Sequence, residues 1–191
     1  MRRINLIASV NNPRDYYYTR HNVGAWWLNK FCLDNVLAFK KYDKFFSYLA
    51  KIEVNGYTVY LLEPCSYMNN SGKYISMFCN IFNISLVDVL IIHDDLDLSP
   101  GVIKLKAKGG SAGHNGLNSV IFNFKSENFK RLRIGIGRPI DGDVINYVLN
   151  KPSESDINFI HGAINASFFF IDDILNLSWN RVSNHVYGYS I

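Results

Sequence analysis

Cysteine is scarce in this 191-residue chain: Cys32, Cys65 and Cys79 are odd in number and share no CxxC spacing. That excludes a closed disulfide framework and a thiolate zinc centre, and a reducing, cytosolic setting is expected. Long apolar runs are missing too. Met1-Arg2-Arg3 followed by Ile4 to Val10 has the outline of a secretory leader, but Asn11-Asn12-Pro13-Arg14-Asp15 cut the run short. The apolar cluster from Phe168 to Leu177 is broken by Asp172 and Asp173, far from the length of a membrane span. No membrane attachment is therefore expected. Internal repeats, linkers and composition shifts are also lacking, so one domain over residues 1–191 is predicted.

What is present fits an ordinary globular protein: 48% hydrophobic and 19% charged residues. Aromatics reach 15%, enough to fill a core and still leave tyrosines for gripping a peptide or stacking on bases. The formal charge of +4 leans toward a polyanionic partner without specifying one.

Ile4 to Val10 reads as a buried strand that runs into loop chemistry at Asn11 to Asp15, and a helix is predicted from about Val23. Ser47 to Val54 and Tyr57 to Glu63 flank Asn55-Gly56, a hairpin signal, and a helix follows over Gly72 to Phe82. Val87 to Ile92 is a hydrophobic strand run ending on His93-Asp94-Asp95-Leu96-Asp97. A strand over Val102 to Lys106, a helix near Leu117 to Phe124 and an alternating strand over Arg131 to Gly137 come next. Ser153 to about Trp179 reads as one or two helices. Strands interleaved with helices predict a single α/β sandwich of three layers with a twisted mixed β-sheet.

Four polar clusters fall at element ends: Asn11 to Asn22, Pro64 to Gly72, His93 to Asp97 and Gly109 to Gly116. In open α/β sheets ligands gather where strands finish. The glycine-rich cluster lacks the Lys-Ser/Thr ending of an NTPase loop, and no acidic residue follows as a dinucleotide site requires, so no nucleotide cofactor is expected. His93, Asp94, Asp95, Asp97 and His21 offer mixed oxygen and nitrogen ligands for a metal-dependent hydrolase, but without HExxH or another fixed ligand spacing, and no metal is expected.

Asn12-Pro13, Tyr16 and Thr19-Arg20-His21-Asn22 resemble the opening signature of the bacterial-type peptidyl-tRNA hydrolase family. Tyr67-Met68-Asn69-Asn70-Ser71-Gly72, His93 to Asp97, Gly109 to Leu117 and Arg131 to Gly137 resemble its later segments, in order, and the likeness extends to about residue 152. One stretch departs: Ser9-Val10-Asn11-Asn12-Pro13-Arg14 stands where the family has Gly-Leu-Gly-Asn-Pro-Gly, so all three glycines are replaced and the loop loses backbone freedom. The Asn-Pro pair assigns the family's asparagine to Asn12; counting back from His21 without a gap selects Asn11.

The resemblance implies a metal-free, monomeric, cytosolic esterase that acts on peptidyl-tRNA and prefers N-blocked aminoacyl groups. It implies His21 as general base, since an imidazole is neutral and proton-accepting near neutral pH; a packing role at a helix entrance is the plain alternative. Asp94 would orient that ring, with Asp95 and Asp97 left as turn carboxylates. Asn12 would offer an uncharged donor to an oxyanion or to the substrate's first amide, and Asn69 and Asn115 donors and acceptors to a peptide backbone or the tRNA 3′ end. Tyr16 and Tyr67 would wall the groove, and His114 would support its loop. Lys104, Lys106 and Lys108 alternate on one predicted strand and Arg131 and Arg133 on another. They are expected to form a phosphate-binding patch, Lys106 and Arg133 clamping the tRNA 5′ phosphate by resemblance. A binding module that kept the fold without turnover is the rival from another class.

Overall fold

The computed structural model describes residues 3–140 and 142–176. Seven strands form one sheet in the order β2-β3-β4-β1-β5-β7-β6. They are β1 (Leu6–Ser9), β2 (Lys40–Tyr42), β3 (Ser47–Val54), β4 (Tyr57–Pro64), β5 (Val89–Asp95), β6 (Ile103–Lys106) and β7 (Lys130–Gly135). The four central strands, β4, β1, β5 and β7, run parallel. The flanks are antiparallel, through β2-β3-β4 on one side and β6 on the other.

Strand alternation divides the core in two, because successive side chains point to opposite faces. Ile7, Leu61, Leu90, Ile92, Leu132 and Ile134 pack with Trp27, Leu28, Phe31, Ile160 and Ile164. These come from α1 (Val23–Asp34) and α5 (Glu154–Phe168), with α6 (Ile171–Leu175) beside them. Leu6, Ala8, Leu62, Val89 and Ile91 pack on the other face with Ile75, Phe78, Leu117 and Val120, which belong to α2 (Ser71–Phe82) and α3 (Asn115–Phe124). The result is the expected three-layer α/β sandwich with a mixed sheet.

Local chemistry sets the helix starts. Ser153 accepts the Asp156 amide at the head of α5, and the His114 side chain accepts the Gly116 and Leu117 amides at the head of α3. Two glycines permit close contacts that shape the strand-end region. A Cβ on Gly24 would lie 2.5 Å from the Ile92 carbonyl oxygen, so only glycine lets α1 settle on β5; one on Gly72 would meet the Ser119 backbone at 2.2 Å, where α2 and α3 touch.

The elements differ from expectation in four places. Strand β5 runs on through His93, Asp94 and Asp95, which pair in register with Arg133, Ile134 and Gly135 of β7. The two carboxylates stay in the ladder because histidines and a cross-strand arginine satisfy them. Val87 belongs to a separate turn before the strand. The edge strand β2 and a short helix, α4 (Val144–Leu149), were not anticipated. The helical segment expected to reach Trp179 forms α5 and α6, and Trp179 lies outside the described residues.

Candidate active site

The carboxyl ends of β1, β4 and β5 open onto one cleft of about 700 Å³. Asn12, His21, Tyr67, Met68, Asn69, His93, Asp94, His114 and Asn115 line it, closed on one side by Val144, Ile145, Val148 and Leu149 of α4.

At its base lies Asp94, 2% exposed. Its carboxylate meets His21 Nδ1 at 2.9 Å from both oxygens and His114 Nε2 at 2.8 Å from Oδ1. The proton positions follow from the partners. His114 Nδ1 accepts the Gly116 amide at 3.1 Å and the Leu117 amide at 3.4 Å, so its proton sits on Nε2 and is donated to Asp94. His21 donates from Nδ1 to a carboxylate that cannot donate back, which leaves Nε2 as an acceptor with no hydrogen-bond partner among the described residues. Burial pushes the His21 pKa down, but the charge and hydrogen bond of Asp94 outweigh it and the net direction is up. Burial likewise raises the Asp94 carboxyl, and the two histidines more than reverse it, holding it well below the usual range.

His93 points elsewhere. Its Nδ1 donates to the Asp94 backbone carbonyl at 2.6 Å, its Nε2 is buried without a partner, and burial first, then His114, drives its pKa down to about 3. Asp95 accepts Arg133 Nε at 2.7 Å, and Asp97 accepts Arg138 Nε at 3.0 Å, so both carboxylates are engaged at the cleft rim.

Asn12 is held from three directions. Its backbone amide donates to Asn22 Oδ1 at 2.9 Å, its carbonyl accepts Asn22 Nδ2 at 3.0 Å, and its Oδ1 accepts the Met68 amide at 3.0 Å. The last contact fixes the side-chain amide, leaving the Nδ2 donor without a partner among the described residues at the cleft wall. Asn11 is consumed internally: Oδ1 accepts Ser9 Oγ, and Nδ2 donates to the Asn12 and Pro64 carbonyls. Of the two candidates, Asn12 is the one that faces the cleft. No residue from Ser9 to Arg14 has positive φ, so the replaced glycines leave no left-handed strain behind.

Tyr67, Asn69 and Asn115 line the cleft as expected. Tyr16 does not line it; its ring meets Tyr67 edge-on at 6.5 Å between centroids, on the outer side. In the basic patch, Lys104 pairs with Arg133 and Lys106 with Arg131 across β6 and β7, so the four side chains share one face. Arg131 must nevertheless be removed from it: the residue is 2% exposed, and its guanidinium binds the Gly109 and Gly110 carbonyls, holding the glycine-rich loop. Its charge serves that loop, whose orphan carbonyls need a donor.

Asn22, Met68, Arg20 and the apolar wall of α4 carry structural work that the sequence reading assigned to none of them. Arg20 Nη1 donates to the Tyr147, Asn150 and Lys151 carbonyls at 3.2, 3.3 and 2.9 Å, and its guanidinium stacks 4.0 Å over the Tyr147 ring. It therefore ties the cleft wall to the turn that holds His21. The Thr19 to Asn22 motif was the signal for Arg20 and Asn22, though not for what they touch.

His21, Asp94 and His114 lie close enough to suggest a metal trio. The donor set does not fit one, because His114 could offer Nε2 to a cation only with Nδ1 protonated, and Nδ1 faces two amide donors.

A family model described as peptidyl-tRNA hydrolase matches residues 6–190. Among curated proteins, the chain is 40% identical to the peptidyl-tRNA hydrolase of Proteus mirabilis (strain HI4320), covering 99% of both chains. It is also 40% identical to that of Francisella tularensis subsp. novicida (strain U112), covering 92% of this chain and 93% of the relative. The crystal structure of peptidyl-tRNA hydrolase from Acinetobacter baumannii superposes with a TM-score of 0.91 at 34% identity, covering 97% of this chain and 95% of that one.

Proposed function

The chain belongs to the peptidyl-tRNA hydrolase family, and from that premise we propose that it hydrolyses the ester between a peptide's C-terminal carboxyl and the terminal ribose of tRNA, with His21 as general base. The observation that carries this reading is the Asp94-anchored His21 ring, whose free Nε2 lines the same cleft as the uncommitted Asn12 amide.

In the first step a water gives a proton to His21 Nε2 as its oxygen bonds to the ester carbonyl carbon. Asp94 stabilises the imidazolium that forms, and His114 keeps that carboxylate charged and oriented. Asn12 Nδ2 donates to the oxyanion, a neutral donor already fixed before the reaction starts. Collapse breaks the bond to the ribose oxygen, which takes the proton back from His21 Nε2, leaving a free peptide acid and free tRNA. No covalent enzyme intermediate is needed.

Asn69 and Asn115 pair with the amide of an N-blocked substrate, a match that a free ammonium spoils. Tyr67 supplies the aromatic wall beside them, with Tyr16 packed against its outer side. Lys106 and Arg133 bind tRNA phosphate from their shared face. A monomer of one domain, without metal or cofactor, in a reducing cytosol completes the reading; no helix among the described residues is long and apolar enough to cross a membrane.

The test is release of a labelled N-acetyl-aminoacyl group from tRNA, with EDTA present, by the parent and by His21→Ala. The parent should turn over and the variant should lose about 10²- to 10⁴-fold in kcat. Tight tRNA binding by both proteins without turnover would instead favour the binding module.

A further inference from the structure

Glu63 is an acidic residue only 2% exposed, at the end of β4. Burial pushes its carboxyl pKa upward, opposed by Arg14 and Asn29. Arg14 Nε donates to Oε1 at 3.2 Å and Asn29 Nδ2, from α1, to Oε2 at 2.8 Å. The Arg14 guanidinium also stacks 3.5 Å over the Tyr48 ring, and Tyr48 is the cross-strand partner of Glu63. A buried carboxylate is costly unless it is paired, so one kept beside an arginine whose side chain is still 45% exposed needs a reason.

The reason lies in what the pair brackets. Pro64, the next residue of β4, accepts Asn11 Nδ2 at 2.9 Å. The last two residues of β4 therefore fasten the loop on both sides of Asn12, at Asn11 and at Arg14. Between these fastenings Asn12 must keep Nδ2 aimed at the cleft while Met68 and Asn22 hold its other groups.

We propose that Arg14 and Glu63 form a positioning pair that acts on the reaction through Asn12, holding its amide in place without touching the substrate. This rests on Asn12 serving as a donor in the proposed hydrolysis.

Four proteins decide it: the parent, Arg14→Met, Asn12→Ala and the double variant, each assayed for kcat and KM on N-acetyl-aminoacyl-tRNA. Arg14→Met should lower kcat about tenfold or more, the penalty of misplacing a reacting group by a fraction of an ångström, with KM little changed. In the Asn12→Ala background the same substitution should cost almost nothing, because the group it positions is already gone. Where Arg14→Met does not fold, Glu63→Gln keeps the Asn29 contact and enters the same cycle with the same expectation. Losses that multiply independently in the double variant, or a change confined to KM, overturn the pair. An Asn12→Ala protein as fast as the parent sinks the donor role itself, a separate failure from loss of coupling.

Discussion

Two opposed effects meet at the His21 imidazole. Burial disfavours the charged ring, while the Asp94 carboxylate at 2.9 Å favours it, and the second wins. A base whose pKa is raised is neutral only above that pKa, so kcat/KM should climb with pH through a value higher than that of an ordinary histidine and then level off. Asp94→Asn removes the charge but leaves the burial, so the sign reverses. The acid limb should move to lower pH while kcat falls about 10²- to 10⁴-fold, since the ring also loses its enforced tautomer. A pH profile of kcat/KM for both proteins measures this, and an acid limb that stays put in the variant would detach Asp94 from His21. At this scale the sequence was most informative where a side chain both lines the cleft and sits in a motif: His21, Asp94, Asn12, Tyr67, Asn69 and Asn115. It misled at Arg131, because alternation assigns a face and cannot say whether the nearby loop offers carbonyls to bind.

Elements were legible where one signal dominated. Asn55-Gly56 set the β3-β4 hairpin, and the helical pattern gave the start of α1 and both ends of α2 to within a residue. The end of β5 was not, since three polar residues in a row read as a loop until the histidines and arginine that satisfy its two carboxylates are in place. Nor was α4, six residues long and too short for its period to register. Its position depends on Arg20, which satisfies carbonyls at the end of the helix. Arg20→Met takes the donor from the Lys151 carbonyl, while the Tyr147 and Asn150 carbonyls keep the backbone amides of Asn150 and residue 20, so it should destabilise the protein by about 1–2 kcal/mol in denaturant unfolding. Because α4 contributes apolar wall and no reacting group, KM should rise severalfold while kcat stays close to the parent value. A kcat collapse at unchanged KM would mean that Arg20 serves the adjacent His21 instead.

Across the whole molecule, the sheet order separates the cleft from the basic strands. The cleft sits over the central strands β1 and β5, and the lysines and arginines of β6 and β7 lie toward one edge. Phosphate binding there would add affinity for any tRNA without reading its sequence, and would weaken steeply with salt. The two proposed clamp residues should not contribute equally. Arg133 is already paired with Asp95 at 2.7 Å, so part of its charge is compensated before RNA arrives, whereas Lys106, which lies against Gly109, forms no ion pair among the described residues. Titrating tRNA onto the His21→Ala protein over graded salt gives the slope of log K against log salt. Lys106→Gln should make that slope shallower by about one, and Arg133→Gln by less, while in the protein that keeps His21 either should have little effect on single-turnover cleavage at saturating enzyme. Equal slopes for all three proteins would move the phosphate contacts away from this edge of the sheet.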